Sequence, residues 1–411
     1  MPRIFGARND MRFLGRGGGT REGRVKTLPY GRSGGRGEGT EDERRSMELL
    51  QDNGHMYQDA FGAEDVATPA MRRAILKWFG LYYGRGDGLL QLPYTIVRKL
   101  SRAVMAEYAP EAALEALPAR EAMELAMIGG ECFIKPVAGD ALRWRCISRG
   151  NILVFGRDLW GKPTDVGLIQ KTREGKMCYT LLERRQLRAN GDLHITNRLF
   201  RASNSGQAGR EVPLRSWIRT AQLPEKTVVP GMEGIGLAHV KMPMTNCVDG
   251  SRDGVSVFAP AVELMEAIAE NEAQLIGEFR KGQSRLVVSR DMLDRGQLRD
   301  ELFVALDESP DTVGITVFAP ELREQSYLAR QQSYLRLVEN VIGLKRGLLS
   351  QVEAADRTAT EITSSEGEYM TTIWELRKAW EAAAEEAMKI QAVLTGSQYR
   401  KPEIQWGDGI L

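Results

Sequence analysis

Side chains able to do acid–base or nucleophilic chemistry are scattered in this sequence rather than gathered. The three histidines, His55, His194 and His239, are isolated from one another. No H-E-x-x-H pair, phosphate-binding Gly-Lys-Ser/Thr loop or nucleophile elbow accompanies them. Gly15–Thr20 has the glycines of a phosphate loop, but no strand precedes it and no Gly-Lys-Ser/Thr follows. The four cysteines, Cys132, Cys146, Cys178 and Cys247, are irregularly spaced and fit no metal or redox motif, which favours reduced thiols. Asp249 and Asp253 are neighbouring carboxylates of the kind that can hold a cation, although such pairs are common in ordinary loops. Neither catalysis nor a metal or organic cofactor is expected.

The patterned chemistry is electrostatic. Net charge over the 411 residues is only +1. Residues 1–254 carry +10, whereas residues 255–394 hold 15 Lys+Arg against 24 Asp+Glu and carry −9. A basic half joined to an acidic half suggests two surfaces with different tasks, or two solvated faces. Residues 1–45 are Gly/Arg-rich, with 11 basic side chains against 6 acidic ones. They offer so little to bury that a flexible arm is expected. Apolar residues make up 42% of the chain, enough for a folded core. No window approaches the roughly 18 uncharged apolar residues of a membrane span. The basic N-terminus has no apolar stretch behind it, so no secretory signal is expected.

The elements that must position these charges have two textures. Thr68-Pro69 is an N-cap followed by proline at the first helical position, opening a helix through Trp78, Phe79 and Tyr82. Further helices are predicted over Pro93–Tyr108 and from Pro118 to Ile128, the latter stopped by Gly129-Gly130. Short strands follow at Cys132–Val137, Leu142–Ile147, Ile152–Phe155 and Val166–Lys171. Asn190-Gly191, between Met177–Leu187 and Asp192–Phe200, is a hairpin signal of type I′. The fold class is therefore α+β, with a mostly antiparallel sheet. After Gly254 the texture becomes helical. Pro260 opens a helix to Lys281 that is about 33 Å long. A strand (Arg285–Ser289), a short helix (Met292–Phe303) and a strand (Gly314–Phe318) come next. Pro320 opens a second long helix, interrupted near Gly343. Thr358 and Glu361 form a capping box at the head of a third, which carries Ile362, Tyr369, Ile373, Leu376, Trp380 and Met388 at spacings near 3.6, with Gly367 as a candidate kink.

Two long helices joined by a compact insert must run antiparallel, and such a hairpin cannot bury two apolar stripes alone. It needs either the first domain or identical hairpins from other subunits, and a closed ring of copies would leave a central hole. Duplex DNA carries one negative charge per roughly 1.7 Å of axis, so an acidic or neutral wall would let it slide where a basic one would hold it.

Arg357-Thr-Ala-Thr-Glu-Ile362, with Ser364, Tyr369 and Thr372-Ile373, resembles the opening of the long C-terminal helix of siphophage portal proteins. Four further segments agree in order: Leu92-Pro93-Tyr94 with Arg98-Lys99; Gly129-Gly130-Glu131 leading to Ile134-Lys135-Pro136; Gly254-Val-Ser-Val-Phe258 leading into Pro260; and Pro320-Glu-Leu-Arg323. The resemblance covers about residues 70–390. It implies a portal fold: a flexible arm at 1–45, a wing at 46–257, stem helices at 258–282 and 320–342, a clip at 283–319, a tunnel loop at 343–357, a kinked wing helix at 358–394, and a short tail at 395–411 with the crown reduced or absent. The Gly/Arg-rich arm is a departure from the family, and scaffold, capsid or nucleic-acid contact all remain open for it.

By that resemblance the chain would form a homododecamer at one capsid vertex, assembled in the host cytoplasm and retained in the virion. It would pass double-stranded DNA without sequence preference during packaging and ejection. Its implied partners are the large terminase subunit, scaffold and major capsid protein, and a head-completion or adaptor protein. No cofactor, metal or membrane is implied. Gln351, Glu353 and Asp356 would face the lumen from the tunnel loop, with Arg346 and Arg357 at its edges or paired across subunits. Glu266, Glu270, Arg330 and Arg336 would face the channel or bridge subunits from the stem. Arg285, Arg290 and Arg299 would meet partners at the clip, or merely be solvated, and Trp374 and Trp380 would lie in the wing core. The alternative is a soluble DNA-binding or head–tail adaptor protein without a channel; no helix-turn-helix or zinc-finger pattern supports the former.

Overall fold

Local sequence chemistry sets three of the helix ends, at Thr68, Gly130 and Gly343. A computed structural model describes residues 53–84, 90–137, 142–282, 285–289, 303–306, 315–318, 321–351 and 359–407. The arm at 1–45 lies outside them. Thr68 caps α2 (Pro69–Tyr82), its hydroxyl accepting from the Met71 amide at 3.1 Å. Helix α1 (Asn53–Phe61) precedes it. Helix α3 spans Leu92–Val104, shorter than expected, because Tyr108–Pro110 is drawn into strand β1. Helix α4 (Ala119–Gly129) ends at Gly130 in the left-handed region.

The strands make an antiparallel body. β2 (Glu131–Val137) lies between β3 (Arg143–Ser148) and β10 (Ala238–Lys241). A larger sheet runs β4 (Ile152–Arg157), β5 (Pro163–Glu174), β6 (Met177–Leu187), β7 (Leu193–Ala202) and β8 (Arg210–Val212), with β9 (Lys226–Val229) also on β7. The β6–β7 hairpin is present, but its turn is not type I′. The Gly191 amide donates to Arg188 O at 2.9 Å and Arg188 N to Asp192 O. Only Gly191, at φ 83°, takes a positive angle. That is a three-residue loop with a left-handed glycine. Aliphatic side chains such as Ile147, Ile152, Val166 and Leu237 pack between the two sheets, and Lys135 of β2 pairs with Glu183 of β6 across the same seam.

Helices α5 (Val262–Lys281), α6 (Glu324–Ile342) and α7 (Ala359–Thr395) complete the chain. Helix α6 starts after Arg323 rather than at Pro320. Helix α7 continues through Gly367 without a break, and Thr358 of the expected capping box lies outside the described residues. Between α5 and α6, β11 (Arg285–Ser289) pairs parallel with β12 (Phe303–Leu306) and antiparallel with β13 (Ile315–Phe318). Strand β12 was not anticipated, and the helix expected over Met292–Phe303 lies outside the described residues except at Phe303, which begins that strand. The C-terminal residues are not a loose tail: β14 (Ile404–Trp406) pairs with β1, and the Trp406 indole donates to Glu381 at 2.8 Å.

One apolar core unites α2, α3, α4, β2, β10, α7 and the near ends of α5 and α6. Along α7 it takes Tyr369, Ile373, Leu376, Trp380 and Met388 of the expected stripe; the Ile362 side chain lies outside what is described. Trp374 departs from expectation. It is 60% exposed, because it lies off that stripe.

Candidate functional site

Helices α5 and α6 form an antiparallel hairpin with two unlike ends. Arg323 at the start of α6 clasps Glu278 near the end of α5, with bonds of 3.0 and 3.1 Å. Those hydrogen bonds hold the Glu278 carboxyl down at about 2. Farther along, Asn271 donates to Tyr327 O at 3.1 Å and accepts from Arg330 at 2.6 Å. At the root, Val262, Met265, Ile268, Leu335, Val338 and Ile342 sit in the main core. The distal halves pack on each other instead. Ile276, Phe279 and Leu328 remain 37%, 42% and 36% exposed. The result is a two-helix stalk with the β11–β13 sheet at its far end.

The four stem residues are placed in different ways. Glu266 is exposed and pairs with Lys77 of α2 at 2.7 Å. Glu270 is exposed and accepts from Gln274. Arg330 bridges the hairpin, reaching Asn271 and Gln274 while its guanidinium lies 5.5 Å from the Tyr327 ring centre. Arg336 is half-buried, and its Nε has no hydrogen bond. Of the residues expected at the clip, Arg285 opens β11. Arg290 and Arg299 lie outside the described residues, as do Glu353, Asp356 and Arg357 of the expected tunnel loop. Arg346 and Gln351 are both exposed, and the Gln351 amide donates to Gln332 of α6 at 2.7 Å.

The loop after α6 is held by a residue that sequence reading missed. Glu339 is 2% exposed. Its Oε1 accepts from the amides of Gly347 (3.1 Å), Leu349 (2.5 Å) and Ser350 (2.8 Å), and Oε2 accepts from the Ser350 hydroxyl at 2.7 Å. A carboxylate taken out of water needs such hydrogen bonds to replace those it gives up. Gly343 ends α6 in the left-handed region, and its carbonyl accepts from Thr372 of α7 at 3.3 Å. The first residues of the expected tunnel loop are thus tied to α6 and α7. The Glu339–Ser350 spacing offered no local motif to find.

A second buried charge cluster organises the joint between body and stalk. Gly130 and Gly254 touch through their backbones; a Cβ on Gly130 would come within 2.3 Å of Gly254. The Gly254 amide donates to Glu131 Oε1 at 2.7 Å, and Val257 N to Met127 O at 3.0 Å. Two of the five segments that carry the portal resemblance therefore pack directly on each other. Glu131 is fully buried, with Arg149 at 3.5 Å and Arg157 at 3.6 Å. The same two arginines hold Asp253 at 3.3 and 2.5 Å. Burial pushes the Glu131 carboxyl up, but His239 and the arginines pull harder and its pKa is lowered. The His239 Nε2 is 3.6 Å from Glu131 Oε2, too long for a good hydrogen bond, so its influence is electrostatic. His239 is therefore not isolated: it stacks on Phe133 at 4.4 Å. Asp253 is committed to these arginines and Asp249 to Thr68, Asn246 and Ser251, which gives both structural work. All four cysteines are free thiols, Cys247 alone exposed.

No family model and no curated protein matches this chain. Among the described residues, no helix is long and apolar enough to cross a membrane.

Proposed function

We propose that this chain is the subunit of a portal ring, a conduit for double-stranded DNA built from many copies around one axis. The observation that carries this reading is the stalk. Its root is fixed in the core, its distal half is only two helices thick, and Ile276, Phe279 and Leu328 stay exposed in the single chain. Copies arranged around a closed axis would cover such faces and give every subunit the same contacts. The order wing, stem, clip, stem and long helix is the order that the sequence resemblance implies. The −9 charge of residues 255–394 suits a wall along which DNA slides.

On this reading the β11–β13 sheet is the surface that meets terminase and, later, head-completion proteins. The expected tunnel loop, whose first residues up to Ser350 are anchored by Glu339, is on this reading the element nearest the passing DNA. Negative-stain imaging, with light scattering after size exclusion, tests the ring: closed rings of about twelve subunits with a central hole are expected. A strict monomer or dimer under all conditions would sink the reading. For the gate, replacing 352–357 with a Gly/Ser linker of equal length should leave rings intact and impair packaging or retention of DNA. Deletion from 348 onward is the poorer test, because it also removes the partners of Glu339.

A further inference from the structure

The hairpin tip between β4 and β5 presents two apolar side chains to solvent on a fixed turn. Leu159 is 90% exposed and Trp160 84%. The turn is held from both sides. Asp158 Oδ1 accepts from the Trp160 and Lys162 amides at 2.9 and 2.8 Å. Asp158 and Lys162 pair through their backbones at 2.9 Å, and Arg157 donates to Gly161 O at 2.9 Å. Arg157 is itself locked to Asp253 and Glu131. The buried charge cluster therefore braces the strand that carries the tip. A rigid turn with an exposed tryptophan has little conformational entropy to lose on binding, and tryptophan is the side chain most often found at the energetic centre of an interface.

The same molecule carries a surface of matching chemistry. A groove of about 570 Å³ lies between the end of α6 and the outer face of α7. Met244, Val257, Ile342 and Leu376 give it apolar walls, and Glu368 and Glu375 also line it. Both carboxylates are exposed and, among the described residues, have no ion-pair partner. Lys162 and Arg252 beside the tip are likewise exposed and unpaired there.

We propose that the Leu159–Trp160 tip of one copy seats in the α6–α7 groove of the next, with Lys162 and Arg252 meeting Glu368 and Glu375. A knob and a socket at different places on one chain make a head-to-tail contact, which closes into a ring or runs on as a filament. Two such side chains cover at most roughly 400 Å², about half of one partner's share in a stable interface. The tip is thus an anchor, and the stalk supplies the remaining area. This inference rests on the ring reading and specifies which surfaces close it.

The test uses the full chain at one fixed concentration, with mass photometry as the readout. Trp160→Glu should cut the ring fraction about tenfold while leaving the far-UV circular dichroism of the subunit unchanged, since the side chain is exposed and holds no part of the fold. Lys162→Glu should weaken assembly, and adding Glu375→Lys should restore it. In a Cys247→Ser background, mixing Lys162→Cys chains with Glu375→Cys chains and adding copper–phenanthroline as the oxidant should give an interchain disulfide, seen on a non-reducing gel, that neither forms alone. Rings that survive Trp160→Glu, or a mixture without that disulfide, overturn this interface and leave the ring reading standing. A parent chain that forms no rings overturns both.

Discussion

Removing the Glu339 carboxylate separates the two things it does. Glu339→Ala leaves three amides and one hydroxyl without their acceptor. The Gly347 amide is on an exposed residue and can turn to water, whereas Leu349 is half-buried and Ser350 buried. Each buried group left unpaired costs about 1–3 kcal/mol, so with the Leu349 and Ser350 amides and the Ser350 hydroxyl all losing their acceptor the alanine variant should lose at least about 3 kcal/mol. Glu339→Gln keeps an acceptor over the three amides, and its NH₂ can donate to the Ser350 hydroxyl. It should lose only the increment due to charge, about 1–2 kcal/mol. Denaturant unfolding gives the totals, and amide hydrogen exchange locates them. Protection should fall first at Leu349 and Ser350 and then along the last turn of α6. If Glu339→Ala stays within about 0.5 kcal/mol of the parent, or those amides keep their protection, the carboxylate is not what holds the loop.

The Gly130–Gly254 contact should be intolerant: Gly130→Ala puts a Cβ against backbone at φ 83°, so loss of soluble protein or of at least about 3 kcal/mol is expected in thermal unfolding. Acid should test Glu131. Its folded pKa is below the unfolded value, so its stabilisation is complete above about pH 4.5 and is lost as pH falls toward the folded pKa. Glu131→Gln should thus be less stable than the parent at pH 7 and converge with it in acid; a gap that stays constant from pH 7 to pH 3 contradicts this. The Lys77–Glu266 pair is about half exposed on both sides, so Glu266→Gln should change stability by no more than about 1 kcal/mol, measured by urea midpoint.

Short-range chemistry made much of the scaffold legible. Thr68-Pro69, Gly129-Gly130 and Gly343 mark helix ends because caps are satisfied within a few residues along the chain. The short apolar run Leu286-Val287-Val288, flanked by polar residues, marked β11 at its observed limits, Arg285–Ser289, and the 3.6-residue period picked out the buried stripe of α7. The same period could not place Trp374, which lies one position from that stripe. Local signals also misjudged the start of α6, where proline permits a helix to begin but the Arg323–Glu278 clasp sits just before it.

The composition determined by itself that charge is divided between two halves of this chain, and the order of motifs suggested what the halves are for. What only tertiary structure decided is which charges are spent. Glu339 and Glu270 are alike in sequence, each an acid on a long amphipathic helix, yet one is buried under a loop and the other is solvated. Glu131 finds Arg149, Arg157 and His239 from three other segments, and shares both arginines with Asp253. An ion pair depends on where two distant backbones are brought together, and no periodicity along one of them encodes the position of the other.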